Sequence, residues 1–330
     1  MDSIACQVPA SNVVKNEESE RSQVNGIHQN IHAVLRYLPL TIRSALERMQ
    51  LLEEMQEIRL RIGRPIGITM NGAEQWLCAN GTRTSQPEQA LIVTDRALQD
   101  TFQAICEYSV YHYTKELTEG FITIKGGNRV GIAGTAVYKE GKLSQLKSIS
   151  SLNIRIARSV PGCAISILER LHQRLPDSLL LVGPVGSGKT TVLRDLCRLV
   201  GRQEKVTLVD ERGELAAVWH GMPQHDVGLH TDIYDGFTRW EGILTGLRVM
   251  TPSYLVCDEI STEQDRDALL QVHGCGVKLL ATAHAASIAD AYQRPQLQRL
   301  LQEQVFSHIC LLGTGAACGT VQAIQEVQRT

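Results

Sequence analysis

The sequence predicts an α/β protein in which a mostly parallel central sheet, built by the second half of the chain, is preceded by a smaller α+β domain. Three observations carry that expectation. First, the apolar run Leu179, Leu180, Leu181, Val182 leads directly into Gly183, Pro184, Val185, Gly186, Ser187, Gly188, Lys189, Thr190, Thr191, and then into Val192, Leu193, Leu196 and Leu199 at helical spacing. That order reads as strand, glycine loop, helix. Second, further short apolar runs at Val206 to Val209, Leu255 to Cys257 and Lys278 to Ala281 alternate with helical segments, and each ends in a polar cluster. Buried parallel strands look like this, and ligands of such sheets gather at the carboxyl ends of the strands. Third, the first half carries a different period: Ile58, Leu60 and Ile62 alternate with Glu57, Arg59 and Arg61, as in a half-buried strand.

Taken in order, residues 1–28 are polar, with Lys15, Glu17, Glu18, Glu20 and Arg21 close together and no sustained apolar period, which predicts a flexible tail. Residues 29–160 form the α+β domain. Val34, Leu35 and Leu38 make one helical face, Pro39 interrupts it, and Ile42, Ala45, Leu46 and Met49 make another. After the alternating strand, Thr94 caps a helix that turns Leu98, Phe102 and Ile105 inward. Phe121 to Ile124 and Arg129 to Tyr138, joined by Lys125, Gly126, Gly127 and Asn128, read as a hairpin, and Leu152 to Arg158 as one more strand. Residues 161–330 form the parallel-sheet domain, with a helix at Ile165 to Gln173 and a fifth strand at Ile309 to Leu312.

Composition narrows the function classes. The 330 residues carry a formal net charge of -2 and 5% aromatic residues, which points away from a chain that coats nucleic acid. The nine cysteines show neither a CxxC nor a Cys/His ligand spacing, so reduced and mostly buried thiols are expected, with no disulfide framework and no metal cluster. No run approaches the ~18 apolar residues of a membrane span, and the N-terminus lacks a basic-then-apolar leader pattern. A cytoplasmic protein is expected, peripheral to a membrane only through partner proteins.

The chemistry concentrates at the strand ends. In the loop, Gly183, Gly186 and Gly188 let backbone N–H groups converge on an anion, the following helix adds the positive end of its dipole, Lys189 reaches the outer phosphates and Thr190 offers a hydroxyl to magnesium. A nucleoside triphosphate is the expected ligand. Tyr254 to Glu259 has the form of a buried strand delivering paired carboxylates, Asp258 for the metal and Glu259 for the attacking water, a division that phosphoryl transfer requires. Asp210-Glu211-Arg212 is a second cluster in which one carboxylate is expected to bind a water or the second shell of magnesium, and Arg212 to neutralise phosphate or pair with Glu214. His284, at a strand end, is expected to sense the γ-phosphate or to carry movement to the neighbouring domain. Arg239 and Arg248 stand as phosphate-facing or surface arginines.

The ordered strings GPVGSGKTT, VDERGEL, EGILTGLRVMTPSYLVCDEI and LLATAHAAS resemble the secretion ATPases of the type II/IV superfamily. More closely, EIRLRIGRPI, EGFITIKGGNRVGIAG and SSLNIRIAR in the first half look like the stage III sporulation protein AA family of endospore-forming bacteria, a resemblance that spans Ile31 to Leu312. It implies a RecA-like P-loop ATPase core using ATP and Mg2+, assembled as a homohexamer and docked on membrane proteins of a secretion-like sporulation channel. It also implies roles: Lys189 and Thr190 as Walker A residues, Asp258 and Glu259 as the Walker B pair, Glu211 as the acidic box, His284 as the histidine box, and an arginine supplied from among Arg129, Arg155 and Arg158. The chain departs from the expected glycine and arginine after Ile260, where it reads Ser261-Thr262-Glu263-Gln264-Asp265.

The residues and the resemblance together predict a Mg-dependent ATPase that couples hydrolysis to domain movement. Two rivals accompany it: a nucleic-acid-stimulated ATPase on the same core, and a nucleotide-dependent scaffold with little hydrolysis.

Overall fold

The computed structural model describes residues 31–172 and 174–327, so the segment 1–28 expected to be a tail lies outside the described residues. The described chain forms two compact units. One takes the residues up to Ser159 together with Ala217–Gln224, and the other takes Val160–Ala216 and the chain from His225 onward.

In the first unit a short helix over 31–35 and α1 (Leu40–Glu47) bury Ile31, Val34, Leu35, Leu38, Ile42 and Leu46, residues spaced at three and four. They cover a seven-stranded sheet of β1 (Met55–Arg61), β2 (Gly67–Met70), β3 (Ala73–Leu77), β4 (Arg83–Thr84), β5 (Phe121–Ile124), β6 (Asn128–Lys139) and β7 (Lys142–Arg155), in the order β4-β3-β2-β1-β7-β6-β5. Every neighbouring pair is antiparallel. The register sets Ile58 opposite Ile154 and Ile154 opposite Val130, all at 0% exposure, so one row of the pleat is core. The opposite face carries Glu57, Arg59, Arg129 and Arg155. Helix α2 (Asp95–Ile105) starts where the hydroxyl of Thr94 accepts the Ala97 N–H at 3.1 Å, and it buries Leu98, Phe102 and Ile105. Helix α3 (Thr114–Glu119) follows. Gly126 and Gly127, at φ 84° and 74°, turn the chain from β5 into β6.

Two parts of this sheet escape the sequence reading. Strands β2, β3 and β4 are short and sit at one edge, and Lys142–Ile149 forms the outer half of β7, much of it solvent-exposed and so without an apolar alternation to betray it.

The second unit holds β8 (Leu179–Gly183), β9 (Val206–Asp210), β10 (Thr231–Asp235), β11 (Tyr254–Cys257), β12 (Lys278–His284), β13 (His308–Leu312) and β14 (Val321–Glu326), in the order β10-β9-β11-β12-β8-β13-β14. Strands β10 through β13 pair in parallel, whereas β14 joins β13 antiparallel. The edge strands β10 and β14 were not expected; both carry polar, partly exposed residues that mask a strand pattern. Helices α4 (Ile165–Arg170), α5 (Lys189–Val200), α6 (Arg239–Val249), α7 (Glu263–Gly274), α8 (Ile288–Gln293) and α9 (Pro295–Gln302) complete the unit. Asp195 of α5 ties down the start of α4: its carboxylate accepts the Ala164 N–H at 2.9 Å and the Arg198 guanidinium at 2.8 Å.

Strand β8 is buried throughout and lies between β12 and β13, so the loop after Gly183 leaves the sheet beside His284, its register partner. The ends of β9, β11 and β12 stand next to one another in the same way, because Cys257 is level with Val209 and with Ala281. The sheet thereby lines up four strand ends. Among the described residues no helix is long and apolar enough to cross a membrane.

The thiols divide as burial dictates. Cys106, Cys197, Cys257 and Cys310 are buried and Cys275 and Cys318 exposed. Burial pushes Cys106, Cys163, Cys197, Cys257 and Cys310 up to about 12, which keeps them protonated.

His225 gives the second unit a sensitivity to acid. Burial, aided by the nearby Arg194 charge, depresses the imidazole to about 3. The folded state keeps it neutral while the unfolded chain protonates below about 6.5, so stability is present above that value and is lost as pH falls toward 3. Between pH 7.5 and pH 5 the wild type is expected to lose about 2 kcal/mol through this group. Urea midpoints of His225→Gln should change by correspondingly less over that interval; an identical loss in the variant would show that His225 is not the acid-sensitive group.

Candidate functional site

The loop 183–188 is shaped by its glycines. Gly186 and Gly188 hold φ 76° and 82°, a region that residues with a Cβ rarely adopt, and Gly188 is the N-cap of α5. A Cβ on Gly183 would come within 2.5 Å of the Ser187 hydroxyl. Val185 stands at the tip, 83% exposed, while Ser187 is fully buried. Lys189 opens the helix and folds back: its Nζ donates to the carbonyls of Gly183 and Pro184, both at 2.9 Å, and lies 3.2 Å from His284 Nδ1. Only 7% of Lys189 is exposed, and burial lowers its pKa against the opposing pull of Asp258 and Glu259.

From this lysine a chain of polar contacts runs across the strand ends. An ammonium has no acceptor lone pair, so His284 Nδ1 accepts from Lys189 and Nε2 carries the proton. That nitrogen lies 3.1 Å from Glu259 Oε1. The other carboxylate oxygen of Glu259 meets Arg212 Nη1 at 2.5 Å. Lys189, Glu259 and Arg212 follow β8, β11 and β9, and His284 is the last residue of β12; in the order β8, β12, β11, β9 these strands are consecutive neighbours in the sheet. Asp258 sits one residue earlier and uses its other neighbours: Oδ2 accepts from the Thr190 hydroxyl at 2.7 Å and Oδ1 from the Thr282 hydroxyl. Thr282 in turn accepts the Glu259 N–H at 2.8 Å, and Glu259 holds a left-handed φ of 56°. The backbone of the carboxylate pair is thus pinned by a threonine of the adjacent strand.

A second cluster flanks the first. Arg239, 5% exposed at the start of α6, donates to Asp265 Oδ2 at 2.8 Å and to Glu211 Oε2 at 2.7 Å. Asp265 is itself buried and accepts the N–H groups of Ser261 and Thr262 at 3.2 and 3.0 Å, while Thr262 and Asp265 close a capping box on α7. Beside the loop, a cavity of about 530 Å³ is lined by Val160, Cys163, Gly188, Thr191, Val192 and Val321.

A family model described as sporulation stage III, protein AA matches residues 28–329. The chain belongs to the stage III sporulation protein AA family. It is 36% identical over 304 residues to the stage III sporulation protein AA of Bacillus subtilis (strain 168), covering 90% of this chain and 95% of that protein. The fold is like that of solved structures of an ATPase and of a pilus retraction motor. The ATPase DotB of Legionella pneumophila aligns with a TM-score of 0.52 at 14% identity, covering 82% of this chain and 74% of that one. The pilus retraction motor PilT with bound ADP aligns with a TM-score of 0.51 at 16% identity, covering 82% and 76%.

The residues of this stage III sporulation protein AA family member fit a magnesium nucleoside triphosphate. The glycine conformations leave a cradle for phosphate, and Lys189 satisfies itself on loop carbonyls that phosphate oxygens can replace. Thr190 and Asp258 offer hard oxygens side by side, as magnesium prefers when phosphates and water complete its shell. Among the described residues there is no group of three or more His, Cys, Asp or Glu that could hold a metal by itself.

The expected residues therefore separate. Lys189, Thr190, Asp258, Glu259 and His284 come together, and Glu211 belongs to the Arg239 cluster. Asp210, read as a possible metal-shell carboxylate, instead accepts the N–H groups of Glu214, Leu215 and Ala216 at 2.8 to 3.0 Å, closing a turn at 2% exposure. Arg239, read as phosphate-facing or superficial, is a buried cross-brace. Arg248 is exposed and donates to the Leu244 carbonyl of its own helix at 3.1 Å. In the first unit Arg129 stacks on Phe121 at 4.1 Å, Arg155 pairs with Glu57 at 3.8 Å, and Arg158 donates to the Glu54 carbonyl. Thr282 and Asp265 were missed as site residues; a threonine two positions before His284 in a buried strand was the one available signal for the former.

Proposed function

We propose that this protein is a magnesium-dependent ATPase whose second unit converts ATP and water to ADP and phosphate. The observation that carries the reading is the strand-end constellation in which Lys189, His284 and Glu259 are linked while Thr190 and Asp258 face each other. Lys189 would exchange its two loop carbonyls for β- and γ-phosphate oxygens. Thr190 and Asp258 would hold magnesium, which supplies neutralisation of the phosphate charge when bound. Glu259 orients a water and accepts its proton as the water oxygen bonds to the γ-phosphorus and the bond to the β–γ bridging oxygen breaks. His284, bonded to both Lys189 and Glu259, links phosphate occupancy to the water-positioning carboxylate. Glu211, held by Arg239, supplies a further carboxylate to the outer metal shell. The nucleoside lies in the cavity beside Gly188 and Thr191, whose volume suits a ligand of that size.

Fold likeness to the ATPase DotB and to the pilus retraction motor PilT supports extending the reading to assembly. The protein works as a homohexameric ring in the cytoplasm, docked through partner membrane proteins of a secretion-like sporulation channel. Hydrolysis drives movement between its two units and so assembly or transport. In that ring, one of Arg129, Arg155 or Arg158 supplies the completing arginine.

Two variants separate binding from turnover. Lys189→Ala should abolish binding of a fluorescent ATP analogue, whereas Glu259→Gln should bind it like wild type and hydrolyse ATP roughly 10²- to 10⁴-fold more slowly. Wild-type affinity in the first or wild-type turnover in the second would overturn the site. For the ring, the solution mass should rise to that of six chains on adding magnesium and a non-hydrolysable ATP analogue; a single-chain mass at all nucleotide concentrations would contradict it.

A further inference from the structure

Neither carboxylate oxygen of Glu259 is left to itself. Oε1 has the His284 ring nitrogen at 3.1 Å, and Oε2 has the Arg212 guanidinium at 2.5 Å. The residue's backbone is fixed as well, by its N–H on Thr282 and by a left-handed φ. A glutamate has three side-chain torsions, and backbone placement alone leaves its carboxylate free to sweep an arc. The histidine fixes one oxygen, and a single contact still permits rotation about it. A second contact on the other oxygen sets the carboxylate plane.

Arg212 meets that requirement from an unexpected place. It follows the β9 strand, two residues beyond Asp210, and β9 is the direct neighbour of β11, whose end carries Glu259. The turn after β9 is locked because Asp210 binds three of its backbone N–H groups, so Arg212 springs from a rigid base although its side chain is 61% exposed. Glu259 is less open, at 25%. An exposed ion pair by itself contributes little to stability. What this one can supply is orientation.

We propose that Arg212 is a positioning residue for Glu259: it sets the carboxylate plane from the side opposite His284 and acts on turnover only through that carboxylate. The proposal rests on the ATPase reading above. It assigns Arg212 no contact with phosphate, in contrast to the phosphate-neutralising role that its charge alone suggests.

The test uses the full-length protein and four variants, Arg212→Gln, Arg212→Lys, Glu259→Gln and the double variant Arg212→Gln/Glu259→Gln, with ATP affinity and turnover measured separately. Arg212→Gln should leave the affinity for a fluorescent ATP analogue unchanged and lower kcat by about 10²-fold, the scale of a misplaced reacting group. Arg212→Lys, which keeps the charge, should recover most of the rate. In the double variant, turnover should equal that of Glu259→Gln alone, because a residue that acts through a carboxylate has nothing left to position. Unchanged or faster turnover in Arg212→Gln would overturn the proposal. So would a parallel fall in affinity, or a further loss of rate in the double variant. The absence of ATP hydrolysis by the wild type would instead defeat the ATPase reading on which it stands.

Discussion

A lysine ammonium almost out of contact with water is the constraint on which the second unit turns. Lys189 cannot rely on solvent, so its charge is met by the Gly183 and Pro184 carbonyls, by the His284 ring and by the fields of Asp258 and Glu259. These partners come from the end of β8 and the loop after it, from the end of β12 and from the residues after β11, and the parallel order β11, β12, β8 is what brings them within reach. Reordering two strands would leave the lysine with loop carbonyls alone. The same arrangement makes the site responsive. The contacts that quiet Lys189 are hydrogen bonds to neutral groups, and on the proposed ATPase function a phosphate, carrying full negative charge, would outcompete them. Because His284 has its second nitrogen on Glu259, the proposed function would carry such a displacement at the lysine to the carboxylate.

The Arg239 cluster has a different logic. Arg239 and Asp265 are both nearly inaccessible, and taking such a pair out of water costs several kcal/mol per ion unless the remaining donors and acceptors are filled. They are filled here: Asp265 accepts two backbone N–H groups as well as the guanidinium, and the second arm of Arg239 holds Glu211. The stretch Ser261-Thr262-Glu263-Gln264-Asp265, which departs from the glycine and arginine expected there, is a capping box that both starts α7 and anchors this brace. The acidic cluster after β9 and the segment after β11 are thereby joined through one buried arginine, which fixes the spacing of two strand ends by charge.

Much of this was legible in the sequence, and the reason is local. A glycine loop needs only its own residues to declare a phosphate cradle, and Asp258, Glu259 and His284 announce themselves by following buried apolar runs. The antiparallel first unit showed itself wherever one face was buried, as at Ile58, Leu60 and Ile154. Contacts that join distant segments were not legible. Nothing near Arg239 in the chain shows that it reaches Asp265 or Glu211, and nothing near Arg212, read as neutralising phosphate or pairing with Glu214, shows that strand order places Glu259 beside it. Asp210 misled for the opposite reason: a carboxylate at a strand end looks chemical, and only the turn geometry shows that backbone N–H groups consume it. Edge strands β10 and β14 and the outer arm of β7 failed to register because periodicity reports burial, and these segments have little.

On the proposed function, the strand ends hold a magnesium triphosphate through Lys189, Thr190 and Asp258, with Glu259 aimed at its terminal phosphate. A crystal structure of the protein with magnesium and a non-hydrolysable ATP analogue tests it most directly. Lys189 Nζ should then lie on phosphate oxygens in place of the Gly183 and Pro184 carbonyls, with the metal beside Thr190 and Asp258. A nucleotide bound elsewhere, with Lys189 still on its two carbonyls and His284, would contradict it.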